Sequence, residues 1–345
     1  MNNVCITGSG IYLPPKNVSN YELFKKIKGF NVAKARQSLS SRNQNVNKLD
    51  DRTIFDLWVQ QVSGIKQRTY LQKDSFPDQS LFTEYMAKEA CLNAVKDAGL
   101  SINDIDHIVL SSYTGETLIP SPVCGLIGLL NASNLSGITV NGACSGFLDG
   151  MIDATAKIRS GLFKNILVVA SEYITNKLDY SDVTTSILFS DGAGAFVLSK
   201  GENKIFGSSS KINYSDEHIK MLRSSVIKMG GGPLVQRKAV NAMAEVGLDA
   251  LQKSNLSIDD IKYIVPHQAN KRILDALEKK LKLSPEAQMV KCIINTGNLS
   301  SATMPVALHK LWKNQLPDIK FKPGHKLMLT AVGGGYTSSA VIIEM

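Results

Sequence analysis

The sequence is 345 residues long, with 43% apolar and 20% charged residues, which is too apolar for an intrinsically disordered chain and long enough for one large buried core or two fused ones. Its longest apolar runs, such as residues 166–170, are far shorter than the ~20 residues that a membrane-spanning helix needs. The start Met-Asn-Asn-Val lacks the basic residues of a secretory signal. We therefore expect a compact cytoplasmic protein without a membrane partner.

The net charge and the cysteines restrict the partners further. The formal charge of +9 favours a polyanion, whether nucleic acid, an anionic membrane or an acidic carrier protein with a phosphate-bearing arm. No block of Lys and Arg alternates with aromatic residues, which argues against nucleic acid. The five cysteines are scattered and form no CxxC pair, so we expect neither a disulfide framework nor a metal site.

The N-terminal segments lack the common cofactor motifs. Residues 8–10, Gly-Ser-Gly, follow a short predicted strand but lack the third glycine and the helix start of a dinucleotide-binding turn. Neither a GxxxxGK[ST] nor an HExxH motif occurs, so no cofactor is expected. Residues 31–56 are polar and rich in Asn, Ser, Lys and Arg, which predicts a surface insertion or lid. Residues 208–225 are similarly polar and are predicted to form a loop.

An internal repeat organises the middle of the chain. Residues 92–109 align with residues 248–265 at an offset of 156, with nine of eighteen positions identical. Each copy has the pattern of an amphipathic helix, a polar turn in which Ser and Asp can cap a short second turn, and an apolar strand. A helix and a strand repeated at this offset predict two related α/β halves.

The same offset relates further elements of the two halves. It carries Cys144 onto Ser300, so two strand-to-helix turns occupy equivalent places and would face each other across a pseudo-twofold axis. The buried-strand patterns that end the two halves also correspond. We therefore predict an N-terminal half at residues 1–200 and a C-terminal half at residues 201–345, with a shared layered core.

Cys144 is the candidate nucleophile of the N-terminal half. In the segment ITVNGACSGFLDGMIDATAKI a β-branched run precedes it and a helical pattern follows it. In the first turn of that helix, backbone amides and the macrodipole would favour the thiolate, and the glycines would admit a substrate. The alternative is a small buried cysteine in a packed turn, which is common for an isolated Cys. Its place beside the repeat axis favours the nucleophile.

The C-terminal half supplies companions for this thiol. His267 follows the apolar strand IKYIV, and a His at the carboxyl end of a strand points to the usual crevice, although a surface-loop His has the same pattern. Asn298 lies in the turn equivalent to that of Cys144, where its amide could stabilise an enolate or could serve the turn alone. The glycine triplet at 333–335 could direct a backbone amide at the same crevice, or form a β-bulge.

Together, the segments GACSGF, VPHQANKRI, NTGNLSSATMP and GGGYTSSA, in this order and spacing, closely resemble β-ketoacyl-acyl-carrier-protein synthase III. The resemblance covers nearly the whole chain, including the opening GSGIYLPPKNVSN. It implies a thiolase-like fold of two pseudo-duplicated halves in an α-β-α-β-α layered arrangement, usually as a homodimer. The implied reaction is acyl transfer from an acyl-CoA or acyl-carrier-protein donor to Cys144, followed by decarboxylative Claisen condensation with a malonyl thioester.

The resemblance also implies roles for individual residues. Cys144 would accept the acyl group, while His267 and Asn298 would stabilise the thioester enolate as two neutral donors. The backbone amides of Cys144 and Gly334 would form the oxyanion hole. Trp58 and Arg272 would contact the carrier arm. Lys279 and Lys280 would contact the acidic carrier protein, and Ile119 would reach the acyl pocket of the dimer partner.

Departures from the family's pattern bear on the acyl donor. Val62 and Val183 stand where family members that start from acetyl-CoA usually have Arg, and Gly232 occupies a usual Asn position. Loss of two bidentate phosphate-facing donors should weaken nucleotide binding, so a donor other than acetyl-CoA is expected. Residues 23–58 are also longer than usual by about two dozen residues, which could remodel the channel mouth. These features predict a specialised paralogue.

Three other functions remain open on these residues. An acyltransferase that forms an ester or amide without a new carbon–carbon bond would use Cys144 and His267, and the presence of Asn298 argues against it. A non-catalytic partner subunit of a heterodimeric synthase would keep only the fold and could lose the thiol, which this chain has. A thiolase would need a second cysteine near residues 333–336, and none is there.

Overall fold

The structure, a computed structural model, describes residues 3–40, 45–75, 80–132, 134–222 and 225–345. The polar segments predicted at 31–56 and 208–225 each contain a few residues, 41–44 and 223–224, that lie outside the described part of the chain. The remainder of both segments is described, so both predictions can be compared with the structure.

Strands and helices alternate along these residues. The strands are β1 (Val4–Tyr12), β2 (Lys16–Ser19), β3 (Gln67–Tyr70), β4 (His107–Ser111), β5 (Ser136–Val140), β6 (Asn165–Glu172), β7 (Gly192–Lys200), β8 (Ile205–Ile212), β9 (Ile219–Lys220), β10 (Lys228–Met229), β11 (Ile261–Pro266), β12 (Gln288–Met289), β13 (Lys326–Val332) and β14 (Thr337–Glu344). The helices are α1 (Asn20–Phe24), α2 (Val32–Ser40), α3 (Asp51–Ser63), α4 (Phe82–Asp97), α5 (Pro122–Leu129), α6 (Gly146–Arg159), α7 (Val183–Ser186), α8 (Gly232–Lys253), α9 (Lys271–Leu281), α10 (Ile293–Thr296) and α11 (Thr303–Trp312). Among the described residues, no helix combines the length and the apolar character that crossing a bilayer requires.

Two five-stranded mixed sheets repeat one topology. The first sheet has the order β1-β7-β6-β4-β5 and the second the order β8-β14-β13-β11-β12. In each sheet the first three strands pair antiparallel and the last three pair parallel. The predicted repeat is therefore confirmed in strand order and direction. Every strand of the first sheet precedes residue 201, and every strand of the second follows it.

Helices cover the outer faces of both sheets and fill the space between them. α4 and α5 pack on the first sheet, α8 and α9 pack on the second, and α6 and α11 lie between the two. The side chains of this central layer are apolar, and Phe147, Met151, Met304 and Leu308 are fully buried. Each side chain of this size stabilises the fold by about 1.5–3 kcal/mol when it leaves water. The result is the α-β-α-β-α layering that the sequence predicted.

The capping signals in the repeated segment form as predicted. Ser101 and Asp104 make a reciprocal capping box on a short 3₁₀ turn, and Ser257 and Asp260 make the same box in the second copy. Each box satisfies backbone N–H groups that a helix start leaves without partners. The two turns direct the chain from an outer helix into the central parallel strands β4 and β11.

The two polar segments contain more regular structure than their composition indicated. Within residues 31–56, α2 packs on α3 through a small core that includes Ala35, Leu39 and Ile54. The insertion is exposed, as expected, but it is helical, because an amphipathic helix needs only a narrow apolar stripe. The loop predicted at 208–225 is wrong for its first five residues, which belong to β8 and pair with β14, and for β9, which pairs with β10.

Candidate active site

A cavity of about 680 Å³ lies where the parallel strands of both sheets end. The carboxyl ends of parallel strands are the usual place for a site in α/β proteins. Of the residues predicted from the sequence, those that line the cavity are Trp58, Cys144, His267, Arg272, Asn298 and Gly334. Among the described residues, no cluster of three or more His, Cys, Asp or Glu side chains is arranged to hold a metal ion.

Cys144 lies in a tight 3₁₀ turn, Ala143–Ser145, that connects β5 to α6. Ala143 adopts the left-handed region, with φ of 49°. A Cβ added at Gly333 would lie 2.8 Å from the backbone N of Cys144. Because Gly333 has no side chain, the end of β13 can contact the turn that carries the thiol.

Burial and hydrogen bonding change the pKa of the Cys144 thiol in opposite directions. Burial raises this pKa to about 11, whereas the hydrogen bond with Ser300, whose Oγ lies 3.4 Å from Sγ, lowers it. A backbone hydrogen bond at Cys144 also lowers the pKa, but desolvation of the charged sulfur is the larger effect. The thiol is therefore protonated at neutral pH.

His267 follows β11 directly, and its backbone N–H donates to the Thr330 carbonyl at 2.8 Å. Burial lowers the pKa of the imidazole to about 3, so the ring is neutral at ordinary pH. Its Nδ1 lies 2.6 Å from Thr303 Oγ1, which also lies 2.8 Å from the Ser300 carbonyl. The Thr303 hydroxyl donates to that carbonyl, which also accepts the Thr303 N–H, and the hydroxyl oxygen faces Nδ1. The contact between Thr303 Oγ1 and Nδ1 therefore fixes the orientation of the imidazole ring.

Asn298 is held by the second turn and by a neighbouring loop. Its Oδ1 accepts the Ser300 N–H at 2.8 Å, so its Nδ2 is the donor end of the amide, 3.4 Å from the Ala269 carbonyl. Its backbone N–H donates to Leu188 and its carbonyl accepts from Ser190, both at 2.9 Å. These contacts fix both the position of the residue and the orientation of its amide.

Three residues that the sequence did not assign complete the site. The N–H, carbonyl and hydroxyl of Ser300 contact Asn298, Thr303 and Cys144, respectively. The hydroxyl of Tyr113, which follows β4 and lines the cavity, lies 2.7 Å from Ser300 Oγ. The repeat offset, which carries Cys144 onto Ser300, held a signal for Ser300. No sequence pattern indicated Thr303 or Tyr113.

The glycine triplet follows β13 beside the turn of Cys144. Gly335 has φ of 75°, a left-handed conformation that glycine adopts without strain. A Cβ added at Gly334 would lie 3.9 Å from the Ala143 Cβ, so the backbone of Gly334 neighbours the nucleophile turn. The backbone N–H groups of Gly334 and Cys144 thus belong to adjacent segments that line one cavity.

Trp58 and Arg272 line the cavity from the side of the insertion. The indole of Trp58 packs against Phe55 of the insertion, with ring centroids 6.3 Å apart. The guanidinium of Arg272 is exposed, and its Nη2 donates to the Gln61 carbonyl at 2.9 Å. The insertion therefore contacts the cavity through the aromatic packing on Trp58.

The departures from the family's pattern give this part of the molecule an apolar surface. Val62 and Gly232 line the cavity. Val183 is the first residue of α7 and packs in the apolar cluster that also holds Trp58 and Val62. Val62 and Val183 are thus apolar side chains at the two positions where the resemblance to members that start from acetyl-CoA implies Arg.

The remaining predicted residues lie outside the cavity of their own chain. Lys279 and Lys280 are exposed in the last turn of α9, about 10 Å along the helix from Arg272. Ile119 is 94% exposed and lies beside Leu118, which is 65% exposed, in the segment between β4 and α5. The structure therefore does not bring these three residues together with the thiol.

Comparisons with known proteins give one family. Residues 138–214 match the family described as 3-oxoacyl-[acyl-carrier-protein (ACP)] synthase III, and residues 251–345 match the model of its C-terminal part. The chain is 31% identical over 343 residues to the β-ketoacyl-[acyl-carrier-protein] synthase III of Aquifex aeolicus (strain VF5), covering 98% of both chains. It is 34% identical over 353 residues to that of Oceanobacillus iheyensis, covering 99% of both chains.

Solved structures agree with this result. The 3-oxoacyl-[acyl-carrier-protein] synthase III of Aquifex aeolicus VF5 superposes with a TM-score of 0.84 at 30% identity, over 99% of this chain and 100% of that chain. The priming β-ketosynthase of the R1128 polyketide biosynthetic pathway gives a TM-score of 0.84 at 25% identity, over 100% of this chain and 96% of that chain. This chain therefore belongs to the β-ketoacyl-acyl-carrier-protein synthase III family and is a condensing acyltransferase with the thiolase-like fold.

Proposed function

We propose that Cys144 accepts an acyl group from an acyl thioester and that His267 and Asn298 then drive its decarboxylative condensation with a malonyl thioester, in fatty-acid or specialised-metabolite biosynthesis. One observation carries this proposal: a thiol, a neutral imidazole and an oriented amide from three different segments line one cavity. The turn that begins at Ser300 contacts all three, through its hydroxyl, through Thr303 and through its N–H. Such a constellation suits acyl transfer followed by enolate chemistry.

The first half of the proposed reaction transfers the acyl group. Cys144 loses its proton and attacks the thioester carbonyl, the new carbon–sulfur bond forms, and the bond to the carrier sulfur breaks. The carrier leaves as a thiol that takes up the proton. The backbone N–H groups of Cys144 and Gly334 donate to the carbonyl oxygen while it carries negative charge.

The second half forms the carbon–carbon bond. The carbonyl oxygen of the malonyl thioester accepts from His267 Nε2 and Asn298 Nδ2, and these donors stabilise the enolate as carbon dioxide leaves. The enolate carbon attacks the acyl carbonyl on Cys144, and the released thiolate regains a proton. Two neutral donors suit this step. Burial keeps the imidazole in its neutral form, which still carries one N–H, and the Ser300 N–H fixes the orientation of the Asn298 amide.

The proposed partners follow from the charge near the cavity. Arg272 at the cavity and the pair Lys279 and Lys280 further along α9 give a basic edge suited to an acidic acyl carrier protein and its phosphate-bearing arm. Val62 and Val183 offer no donor to a nucleotide, so we expect a donor other than acetyl-CoA, carried either on CoA or on a carrier protein.

We also propose a homodimer that pairs through β5. This strand is at the edge of the first sheet, and Leu118 and Ile119 project exposed apolar surface beside it. Pairing two such edges would cover unpaired backbone groups and apolar side chains together. Ile119 would then reach the acyl pocket of the partner. Ile119→Asp should convert the dimer to a monomer in sedimentation velocity, and an unchanged dimer would count against this interface.

The decisive experiment is the intact mass of the protein after incubation with a panel of acyl-CoA and acyl-carrier-protein thioesters. Wild type should gain the acyl mass and Cys144→Ala should not. His267→Ala should still gain the acyl mass but form no β-ketoacyl product when malonyl-acyl-carrier-protein is added. Absence of an adduct with every thioester would overturn the proposed mechanism.

A further inference from the structure

Two hydroxyl groups extend from the Cys144 thiol into the first sheet. Cys144 Sγ lies 3.4 Å from Ser300 Oγ, and Ser300 Oγ lies 2.7 Å from the hydroxyl of Tyr113. Ser300 is fully buried, and it comes from the C-terminal half, whereas the other two residues come from the N-terminal half. The three polar atoms therefore form a continuous row across the pseudo-twofold axis.

In one arrangement of the row, both hydroxyl hydrogens, those of Tyr113 and Ser300, take part in a hydrogen bond. Among the described residues, the contacts of the Ser300 hydroxyl are the Tyr113 hydroxyl and the Cys144 sulfur, both within the row. If Tyr113 donates to Ser300 Oγ, the Ser300 hydrogen is directed at the sulfur. In the reverse direction, the Tyr113 hydrogen would have no acceptor among the contacts of its hydroxyl. Donation towards the sulfur is therefore favoured.

The phenol is suited to remain the donor. Burial and the nearby Glu172 carboxyl hold the pKa of Tyr113 well above its usual range, so its hydroxyl stays protonated. The backbone around the phenol is fixed, because the hydroxyl of Thr114 donates to Glu172 Oε2 at 2.6 Å and the Tyr113 N–H points to the same oxygen at 3.4 Å. A fixed, protonated donor behind Ser300 polarises the serine hydroxyl in the direction of the sulfur.

We propose that Ser300 is a further catalytic residue, which donates a hydrogen bond to the Cys144 thiolate, and that Tyr113 is a positioning residue that acts through Ser300. The inference rests on the proposed function in one respect, since it takes Cys144 as the nucleophile. Charge-assisted hydrogen bonds are roughly twice as strong as neutral ones, so the row stabilises the thiolate more than the thiol. It thereby offsets part of the desolvation that opposes ionisation of a buried sulfur.

Ser300 is the first residue of the second turn, one position before the residue that aligns with Cys144. Both turns start with a left-handed residue, so the backbone aligns Ser300 with Ala143, the residue before the nucleophile. A residue without a hydroxyl at 300 would fill the same turn but leave the sulfur without this donor.

The test is the rate at which iodoacetamide alkylates Cys144, followed at peptide level by mass spectrometry between about pH 6 and pH 9, where the rate reports the thiolate fraction. The other cysteine peptides of the same digest are internal controls. Ser300→Ala removes the donor, and Tyr113→Phe removes only the hydroxyl while keeping the ring. The double variant tests whether the two residues act in series.

Ser300→Ala should slow alkylation of Cys144 about tenfold at each pH, equal to an upward shift of about one unit in the thiol pKa, and Tyr113→Phe should slow it about threefold. In the Ser300→Ala background, Tyr113→Phe should have no further effect. Unchanged rates in both single variants would overturn the proposal, as would fully additive effects in the double variant. Equal slowing at the control cysteines would show that the effect is not specific to Cys144 and would also count against the proposal.

The same variants separate this proposal from the proposed function. Alkylation needs no thioester, so the shift in the rate profile can appear even if no acyl adduct forms. If wild type takes up no acyl group but Ser300→Ala still slows alkylation, the mechanism fails and the hydrogen-bonded row stands. If acylation occurs and both variants alkylate like wild type, the mechanism stands and the row fails.

Discussion

The turns Ala143–Ser145 and Ser300–Ala302 occupy related places in the two halves but carry different chemistry. Each begins with a left-handed residue, with φ of 49° at Ala143 and 54° at Ser300, and each leads into a helix of the central layer. The first presents a thiol, whereas the second presents a hydroxyl and holds the amide of Asn298. The two turns thus share one backbone conformation. Their side chains determine that the first turn carries the nucleophile and that the second holds the residues around it.

Cys144→Ser would remove this difference by placing a hydroxyl on both turns. We expect β-ketoacyl formation to fall by about 10³-fold or more, because a serine hydroxyl without an adjacent base is a far weaker nucleophile than a thiol. The measurement is the initial rate of product formation together with intact mass. Cys124→Ser, a change at an exposed cysteine outside the cavity, is the matched control and should stay within about threefold of wild type.

Asn298→Asp would change the second turn without changing the first. A carboxylate should repel the enolate, so we expect condensation to fall by about 10²- to 10³-fold while self-acylation of Cys144 stays within about threefold. Intact mass measures acylation, and release of carbon dioxide from the malonyl thioester measures the second step. An equal loss of both steps would mean that the two turns do not divide the reaction as proposed.

Thr303→Val would test the link between the second turn and His267. Without the hydroxyl whose Oγ1 lies 2.6 Å from Nδ1, the imidazole loses the contact that fixes its orientation, and we expect kcat for condensation to fall about tenfold. Thr155→Val is the matched control, because that hydroxyl bonds only to the Met151 carbonyl within α6. Similar losses in both variants would show that the effect comes from packing alone.

Glu172→Gln would have the smallest effect, through the carboxyl that accepts from Ser301 behind the second turn at 2.7 Å. Burial raises the pKa of Glu172 from 4.5 to about 7, so between these values the native protein binds more protons than the unfolded chain. Its contribution to stability is therefore full at about pH 4 and is lost as pH rises through 7. Between pH 5 and pH 8 the free energy of unfolding should fall on the order of 2 kcal/mol more in wild type than in the variant.

Urea unfolding at these two pH values checks the Glu172 prediction. Asp191, whose pKa burial also raises to about 7, is present in both proteins, so its contribution cancels in the difference. An identical loss of stability in wild type and variant would contradict the raised pKa of Glu172. A larger loss in the variant would reverse the sign that the burial predicts.

The sequence predicted those features that depend on local pattern and on the repeat. The offset of 156 anticipated both sheets and the pairing of the two turns, because equivalent strands and caps recur in both halves. It also carried Cys144 onto Ser300, whose Sγ and Oγ atoms lie 3.4 Å apart, although the backbone of the two turns aligns Ser300 with the preceding residue, Ala143. Counting residues along the repeat therefore found the facing turn to within one residue.

Features that depend on the direction of a side chain could not be found in this way. Tyr113 follows β4, and nothing in its neighbours shows that its hydroxyl meets a serine from the other half. Thr303 bonds His267 because α11 packs beside the end of β11, a long-range contact that no local pattern reports. The thiol pKa was expected to fall because the helix start is visible in sequence, whereas the opposing burial is visible only in the fold.

The position of β1 in the first sheet has a consequence for synthesis of the chain. β1 pairs with β7, and the ribosome must add about 180 residues between the end of one strand and the start of the other. At about 5–20 residues per second, the pairing edge of β1 waits roughly 10 to 40 seconds for its partner. Throughout that interval a strand with a free edge is exposed to other nascent chains, so chaperone demand should be greatest before residue 200 emerges.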